Sequence, residues 1–500
     1  MSLPLIERAL QFDNRTAIVT LNAEYSYRQL LNSSARAAAG LLNGRNDLTE
    51  ARVAFLTPPG FEYAAVQWGI WRAGGIAVPL AVSHPAPELE YVIADSDAEI
   101  VVAHPDFAGK LRPVAHKLHR RFVTTPELLS ATASRQLPQV EPQRRAMIVY
   151  TSGTTGKPKG VVSTHQNIQA QVTAMVSAWG WSADDRILHV LPLHHVHGIV
   201  NVLTTPLWVG ASCFILPKFN AEQVWQIFET GQITAFMAVP TIYARLIAAW
   251  DAALPERRQA MSAACVQMRL MVSGSAALPV SVLEKWRQIS GHTLLERYGM
   301  TEIGMGLSNP LRGERVPGHV GRPMPGVELR LVDEAGLPVD APNTPGEIQV
   351  RGPGVFREYW QRPQATAQAF QDGWFRTGDT ALRRPDGVYR ILGRNSVDII
   401  KTGGFKVSAL EIEEVLRTHP AIRECAVVGV PDPEWGERVC AALVLETGAS
   451  LAAEGLRGWA KERLAPYKVP SEILVLDDLP RNAMGKVTKP ALKKMNFSDT

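Results

Sequence analysis

The residues whose types and spacing best suit chemistry are Thr151-Ser152-Gly153-Thr154-Thr155-Gly156-Lys157-Pro158-Lys159-Gly160, which follow the apolar run 147–150. Glycines let a backbone approach a phosphate closely, exposed amides and hydroxyls donate hydrogen bonds to it, and lysines supply the opposing charge. Thr151, Ser152, Gly153, Thr154, Thr155, Gly156, Lys157 and Lys159 are therefore candidate contacts to a nucleotide phosphate. The loop is not a Walker A motif, which needs a wider gap between its glycines and a Ser or Thr after the lysine. Here two residues separate Gly153 from Gly156, and Pro158 follows Lys157. A flexible surface loop is the competing account; the preceding strand and the two lysines weigh against it.

The decapeptide TSGTTGKPKG resembles the signature of the adenylate-forming superfamily of acyl-CoA synthetases, peptide-synthetase adenylation domains and luciferases, and the resemblance extends over essentially the whole chain. Tyr298-Gly299-Met300-Thr301-Glu302 resembles the second signature of that superfamily. The resemblance implies that Tyr298 stacks on adenine, with Gly299 and Met300 in the same ATP-binding motif. It implies that Thr301 contacts phosphate and Glu302 holds Mg²⁺; a carboxylate beside a triphosphate makes physical sense with a cation between them. Asp379, closing the segment 374–379, is implied as the ribose contact, and two carboxylate oxygens suit a vicinal diol. Arg394 is implied as a further ribose or phosphate contact. The segment 480–486 resembles the motif that carries the adenylation lysine, here Lys486. A mobile cation there would offset charge as the new P–O bond forms, so Lys486, Thr301 and Glu302 are the candidate catalytic residues.

The resemblance also implies two half-reactions: activation of a carboxylic acid by ATP, then transfer of the acyl group to coenzyme A. The small C-terminal domain takes a different orientation for each. Gly403 and Gly404 lie in the stretch brought in for the second step, where glycines leave room for the pantetheine arm. From Arg394 to Lys401 the chain is one residue longer than the superfamily pattern. The pivot therefore falls on Ser396, Val397 or Asp398, and none is singled out.

The resemblance is strongest to malonyl-CoA synthetases, over 191–219, 236–243, 268–279 and on through 302. Residue types give an independent argument. Many relatives carry a small residue in the acyl pocket just before the second signature; this chain carries Arg297. A guanidinium there would be poorly solvated without an anion, and the second carboxylate of a diacid would supply one. A monocarboxylate would leave the charge unpaired, at a cost of about 2–5 kcal/mol. His195 and Ser275 are the candidate partners of that carboxylate. Against these stand an ion pair of Arg297 with Glu296 or Glu302, and a structural role for His195 in a turn it shares with His194 and His197. Malonate is the expected substrate, with methylmalonate second. An aryl or other short-chain acid, or a carrier protein in place of CoA, are the alternatives.

These residues need a scaffold. Apolar runs at 53–56, 100–103, 147–150, 187–190, 214–216, 235–239 and 270–272 alternate with helical patterns such as 61–72, 221–230 and 279–289. Such alternation predicts an α/β fold of parallel sheets covered by helices, with ligands bound beyond the carboxyl ends of the strands. After about residue 315 Gly and Pro become frequent and strands shorten, as in a small β-rich subdomain. Beyond Gly393 a helix at 409–418, a strand at 425–430, a helix at 456–464 and a strand at 473–476 make a small, mobile α+β C-terminal domain. The expected division is 1–393 and 394–500, because 500 residues exceed one compact core.

Composition excludes other classes. The net charge of +4 is spread out with no basic arm, so no nucleic-acid partner is expected. No apolar run is long enough for a membrane span. The four cysteines are far apart, without metal-site spacing, and fit a reducing compartment. The N-terminal stretch has neither the core of a signal peptide nor the composition of a transit peptide. A soluble, cytoplasmic monomer or weak oligomer is the expectation.

Overall fold

The computed structural model describes residues 3–133, 136–151, 157–481 and 486–497. Two large sheets dominate. In the nine-stranded one, the strands Thr16–Val19, Ser212–Ile215, Arg186–His189, Ala235–Ala238, Leu270–Ser273 and Leu295–Met300 pair in parallel, with antiparallel strands at both edges. In the seven-stranded one, Arg145–Thr151, Ile76–Pro79, Arg52–Leu56, Ile100–Ala103 and Arg121–Thr124 are parallel. Strands such as Ile100–Ala103 and Ala235–Ala238 are buried at every position. Burial on both faces is why they read as unbroken apolar runs rather than as alternation.

Helices cover these sheets closely. Tyr27–Leu42 starts at a capping box in which Ser26 and Gln29 satisfy each other's backbone amides. It meets Phe61–Arg72 at Gly69, where a Cβ would come within 2.6 Å of Ala37. The expected β-rich subdomain is a five-stranded antiparallel sheet running from Glu328–Val332 to Tyr389–Arg394. A last five-stranded sheet, with the helices Ala409–Leu416 and Ala453–Lys461, forms the small C-terminal domain around its own apolar cluster.

One connection differs from plain strand–helix alternation. The strand Arg145–Thr151 returns directly as the antiparallel strand Lys159–Thr164, with Thr151 opposite Lys159. The described ends of the candidate phosphate loop are thus paired strand residues, and the next helix begins only at His165.

Candidate active site

Three strands of the nine-stranded sheet lead into the corner around Arg297. Leu295–Met300 pairs with Leu270–Ser273, and Arg297 projects from the first while Ser275 follows the second. Arg297 Nη2 donates to Ser275 Oγ at 3.1 Å. Gly274 makes room for this contact, since a Cβ there would lie 2.5 Å from Arg297 Nε. Ser275 itself sits at φ 68°, a left-handed conformation that a serine holds only under constraint. The third element follows Arg186–His189: a π-helix, His197–Thr204, opens with His197, whose Nδ1 lies 3.2 Å from Ser275 Oγ. Single turns of π-helix are frequent at functional sites.

The electrostatics of this corner are one-sided. Arg297 is 5% exposed, and burial pushes its guanidinium down to about 9. Among the described residues no carboxylate lies within ion-pair distance of it, and its Nε has no hydrogen-bond partner. The competing pairings fail for a geometric reason. Successive side chains on a strand point to opposite faces, so Glu296 faces away and accepts from the Gly318 amide at 2.9 Å. Glu302 accepts from the Tyr359 hydroxyl at 2.9 Å. Burial, and then the nearby Arg297, hold His197 well below the usual imidazole range, so it is neutral. Ser275 Oγ accepts from Arg297 and has its own proton to offer His197 Nδ1, which fits the tautomer protonated on Nε2. In that tautomer the imidazole proton sits on Nε2, which is buried and without a partner among the described residues.

His195 and Ser275 are the partners expected from sequence for a substrate carboxylate; the imidazole that bonds Ser275 itself is that of His197. His195 packs against His194, ring centroids 4.1 Å apart, and its buried Nε2 also has no partner among the described residues. Its imidazole is held low by burial, then by His194 and Lys486, so it stands at the same site as a neighbour. The positive φ of Ser275 and the glycine at 198, where a Cβ would strike the Pro192 carbonyl at 2.2 Å, mark how tightly this corner is built.

The nucleotide side lies next to it. Tyr298 donates to Asp379 Oδ2 at 2.5 Å, and Arg394 Nη1 approaches Asp379 Oδ1 at 3.7 Å. Asp379 and Arg394 are register partners on adjacent strands, which brings the two sequence-distant ribose candidates together. Burial raises the Asp379 carboxyl, while Arg394 and Tyr298 oppose that shift. Gly299 is required by the hairpin that follows, where a Cβ would meet the Gly304 carbonyl at 2.1 Å; Met300 packs in the adjoining apolar cluster. Thr301 and Glu302 occupy the turn between Leu295–Met300 and Gly304–Ser308.

Glu302 is buried, and desolvation raises its carboxyl. Its hydroxyl partner Tyr359 sits on a strand paired with Lys159–Thr164, and Lys159 Nζ lies over the Tyr359 ring at 5.3 Å. This linkage sets Glu302 beside the base of the phosphate loop, an arrangement in which a buried acid with one neutral partner fits a divalent cation. Thr151 ends its strand and Lys157 Nζ lies over Tyr91 at 5.5 Å. Ser152, Gly153, Thr154, Thr155 and Gly156 lie outside the described residues.

Lys486, partly buried, comes to the same place. Burial lowers its ammonium, and Arg297 and Arg394 lower it further while Asp379 raises it. Gly403 and Gly404, at φ 54° and 80°, form the tip of the hairpin between Ile399–Thr402 and Phe405–Ser408. Two positive φ values suit such a turn, and Gly403 also lies against Trp435, where a Cβ would come within 2.9 Å of the ring.

Tyr298, Asp379, Arg394 and Lys486 thus gather beside the Arg297 corner, and the class of protein that carries this grouping is given by its relatives. The AMP-binding enzyme family matches residues 5–360, and the AMP-binding enzyme C-terminal domain matches 411–486. The chain belongs to the AMP-binding enzyme family. It is 49% identical to the human protein named malonate–CoA ligase ACSF3, mitochondrial, over 98% of this chain and 92% of the relative. It is 42% identical to the malonate–CoA ligase of Arabidopsis thaliana, over 96% and 86%. Among solved structures, ATP-bound MatB from Rhodopseudomonas palustris superposes with a TM-score of 0.91 at 34% identity, covering 99% of each chain.

Proposed function

We propose that this chain is an ATP-dependent malonate–CoA ligase. A carboxylate oxygen of malonate attacks the α-phosphorus of ATP, the bond to the β-phosphate oxygen breaks, and pyrophosphate leaves. The thiolate of CoA then attacks the acyl carbon of malonyl-adenylate, giving malonyl-CoA and AMP. The observation that carries the substrate is Arg297: a buried guanidinium with an unpartnered Nε and no protein carboxylate beside it among the described residues. The distal carboxylate of malonate completes this corner against Arg297, with the His197 Nε2 proton as a neutral donor and Ser275 holding the guanidinium and the imidazole in place. The named relatives support the same substrate.

Around the reacting carboxylate, Lys486 supplies charge where the P–O bond forms, Asp379 takes the ribose hydroxyls and Thr301 contacts phosphate. Glu302 is the residue that would hold Mg²⁺, which when bound offsets the phosphate charge. The junction after Arg394 is the proposed pivot between a domain of 1–393 and one of 394–500. Gly403 and Gly404 are the proposed pantetheine contacts. Methylmalonate is a secondary substrate, since one methyl group costs only about 1–3 kcal/mol in discrimination. No helix among the described residues is long and apolar enough to cross a membrane. Four buried free cysteines fit a reducing compartment, and the cytoplasm is our reading; fractionation of tagged cells tests it, and recovery in mitochondria would refute it.

The decisive experiment is a substrate panel scored by CoA-dependent AMP formation. Malonate turns over far faster than acetate, and Arg297→Ala lowers kcat/KM for malonate by roughly 30-fold or more. Equal turnover of acetate by the unaltered enzyme would remove malonate as the substrate while leaving the acid–CoA ligase chemistry standing.

A further inference from the structure

Close after Lys486 stands a second lysine in very different surroundings. Lys489 is 7% exposed, and its Nζ lies 2.6 Å from Asp398 Oδ1 and 2.7 Å from Glu413 Oε1. Each carboxylate is anchored on its other side. Asp398 Oδ2 accepts from the Arg394 amide at 3.0 Å. Glu413 Oε1 accepts from the Val427 amide at 2.9 Å, and its Oε2 pairs with Arg417 at 3.0 Å. Desolvation pushes the Lys489 ammonium down, yet Glu413 and Asp398 outweigh it and hold it above its ordinary value.

What these anchors connect is informative. Asp398 packs directly on Gly393, where a Cβ would lie 2.4 Å from the Asp398 Cβ, and Arg394 reaches back to Asp379 and to the Thr377 carbonyl. Glu413 belongs to the helix Ala409–Leu416 that packs on the C-terminal sheet. On the other side, Lys489 follows a loop closed at its base. Arg481 bridges to Val487, and the Thr488 amide donates to the Pro480 carbonyl at 2.7 Å. One buried ammonium therefore joins the segment bearing Lys486 to the interdomain junction and to the body of the C-terminal domain. Buried ionic clusters contribute little net stability, but they fix geometry, because losing one partner leaves the others uncompensated.

We propose that Lys489 is a positioning residue for the adenylation step: its clamp on Asp398 and Glu413 sets where the Lys486 segment stands relative to the junction after Arg394. Lys486 then reaches the acyl–phosphate centre as the C-terminal domain docks, without a separate ordering of its own segment. The inference rests on Lys486 being the adenylation lysine.

The test separates the two half-reactions in the full-length enzyme. Pyrophosphate release from ATP and malonate without CoA reports the first, and CoA-dependent consumption of preformed malonyl-adenylate reports the second. Lys489→Met slows the first by about 10- to 100-fold, the scale expected for a misplaced catalytic group. KM for ATP and malonate and the second half-reaction stay within about twofold, and Lys489→Arg recovers much of the loss. Equal slowing of both half-reactions, or no slowing, overturns the proposal. Should Lys489→Met fail to give a cooperative melt, Glu413→Gln, which weakens the other arm of the clamp, is judged by the same criterion. Lys486→Ala is run alongside: adenylation surviving it would defeat the functional reading itself, whereas its loss there with a silent Lys489→Met defeats only the clamp.

Discussion

At the scale of single residues, charge and burial assign the roles. Arg297 and Glu296 are neighbours in sequence and opposites in environment. One is a buried cation awaiting an anion; the other is a buried acid pushed up to about 8, chiefly by desolvation, opposed by the Gly318 amide and reinforced by Glu414. An acid whose pKa is higher folded than unfolded contributes stability that is present below its unfolded value of 4.5 and lost as pH rises through its folded value. Glu296→Gln keeps an oxygen for the Gly318 amide and removes the titration. The melting temperature of the variant therefore gains on that of the unaltered enzyme between pH 5 and 8, on the order of 1 °C per pH unit. Parallel melting curves across that window would show that Glu296 is ionised when folded.

At the scale of elements, the site depends on backbones that come unusually close. The strand bearing Arg297, the turn at Gly274-Ser275 and the π-helix at His197 meet with no spare volume. Gly274→Ala puts a methyl group 2.5 Å from Arg297 Nε and 2.8 Å from its Cζ, so the guanidinium must move. The expected result is a rise in KM for malonate of about 10-fold or more, with KM for ATP within about twofold, because the displaced group is the one proposed to bind the acid. An unchanged KM for malonate would mean that Arg297 tolerates the shift and does not grip the substrate closely.

At the scale of the molecule, the C-terminal domain is docked with Lys486 among Arg297, Arg394 and Asp379. Glu414 Oε2 accepts from the Val280 amide at 3.2 Å, so a C-terminal-domain carboxylate meets the start of the helix Val280–Ser290 in the large domain. A carboxylate at a helix N-terminus is worth about 0.3–1 kcal/mol. Glu414→Gln should therefore slow pyrophosphate release about two- to fivefold and leave thioester formation from preformed adenylate unaffected. A variant as fast as the unaltered enzyme in both steps would show that this contact does not hold the adenylation pose.

The family and its class of chemistry were legible in the sequence because they are written in contiguous motifs. The Thr-Gly-Lys loop, the run 298–302, Asp379 and Lys486 are recognisable without a fold, and unbroken apolar runs marked the buried parallel strands. Partnerships between distant side chains were not legible. That His197 bonds Ser275, that Tyr359 serves Glu302, and that Lys489 ties Asp398 to Glu413 depend on which strands adjoin and which way each side chain faces. Sequence placed a guanidinium where an acid would bind. Only the tertiary structure decided that no protein carboxylate had claimed it among the described residues, because the two nearest acids in the chain are turned to other partners.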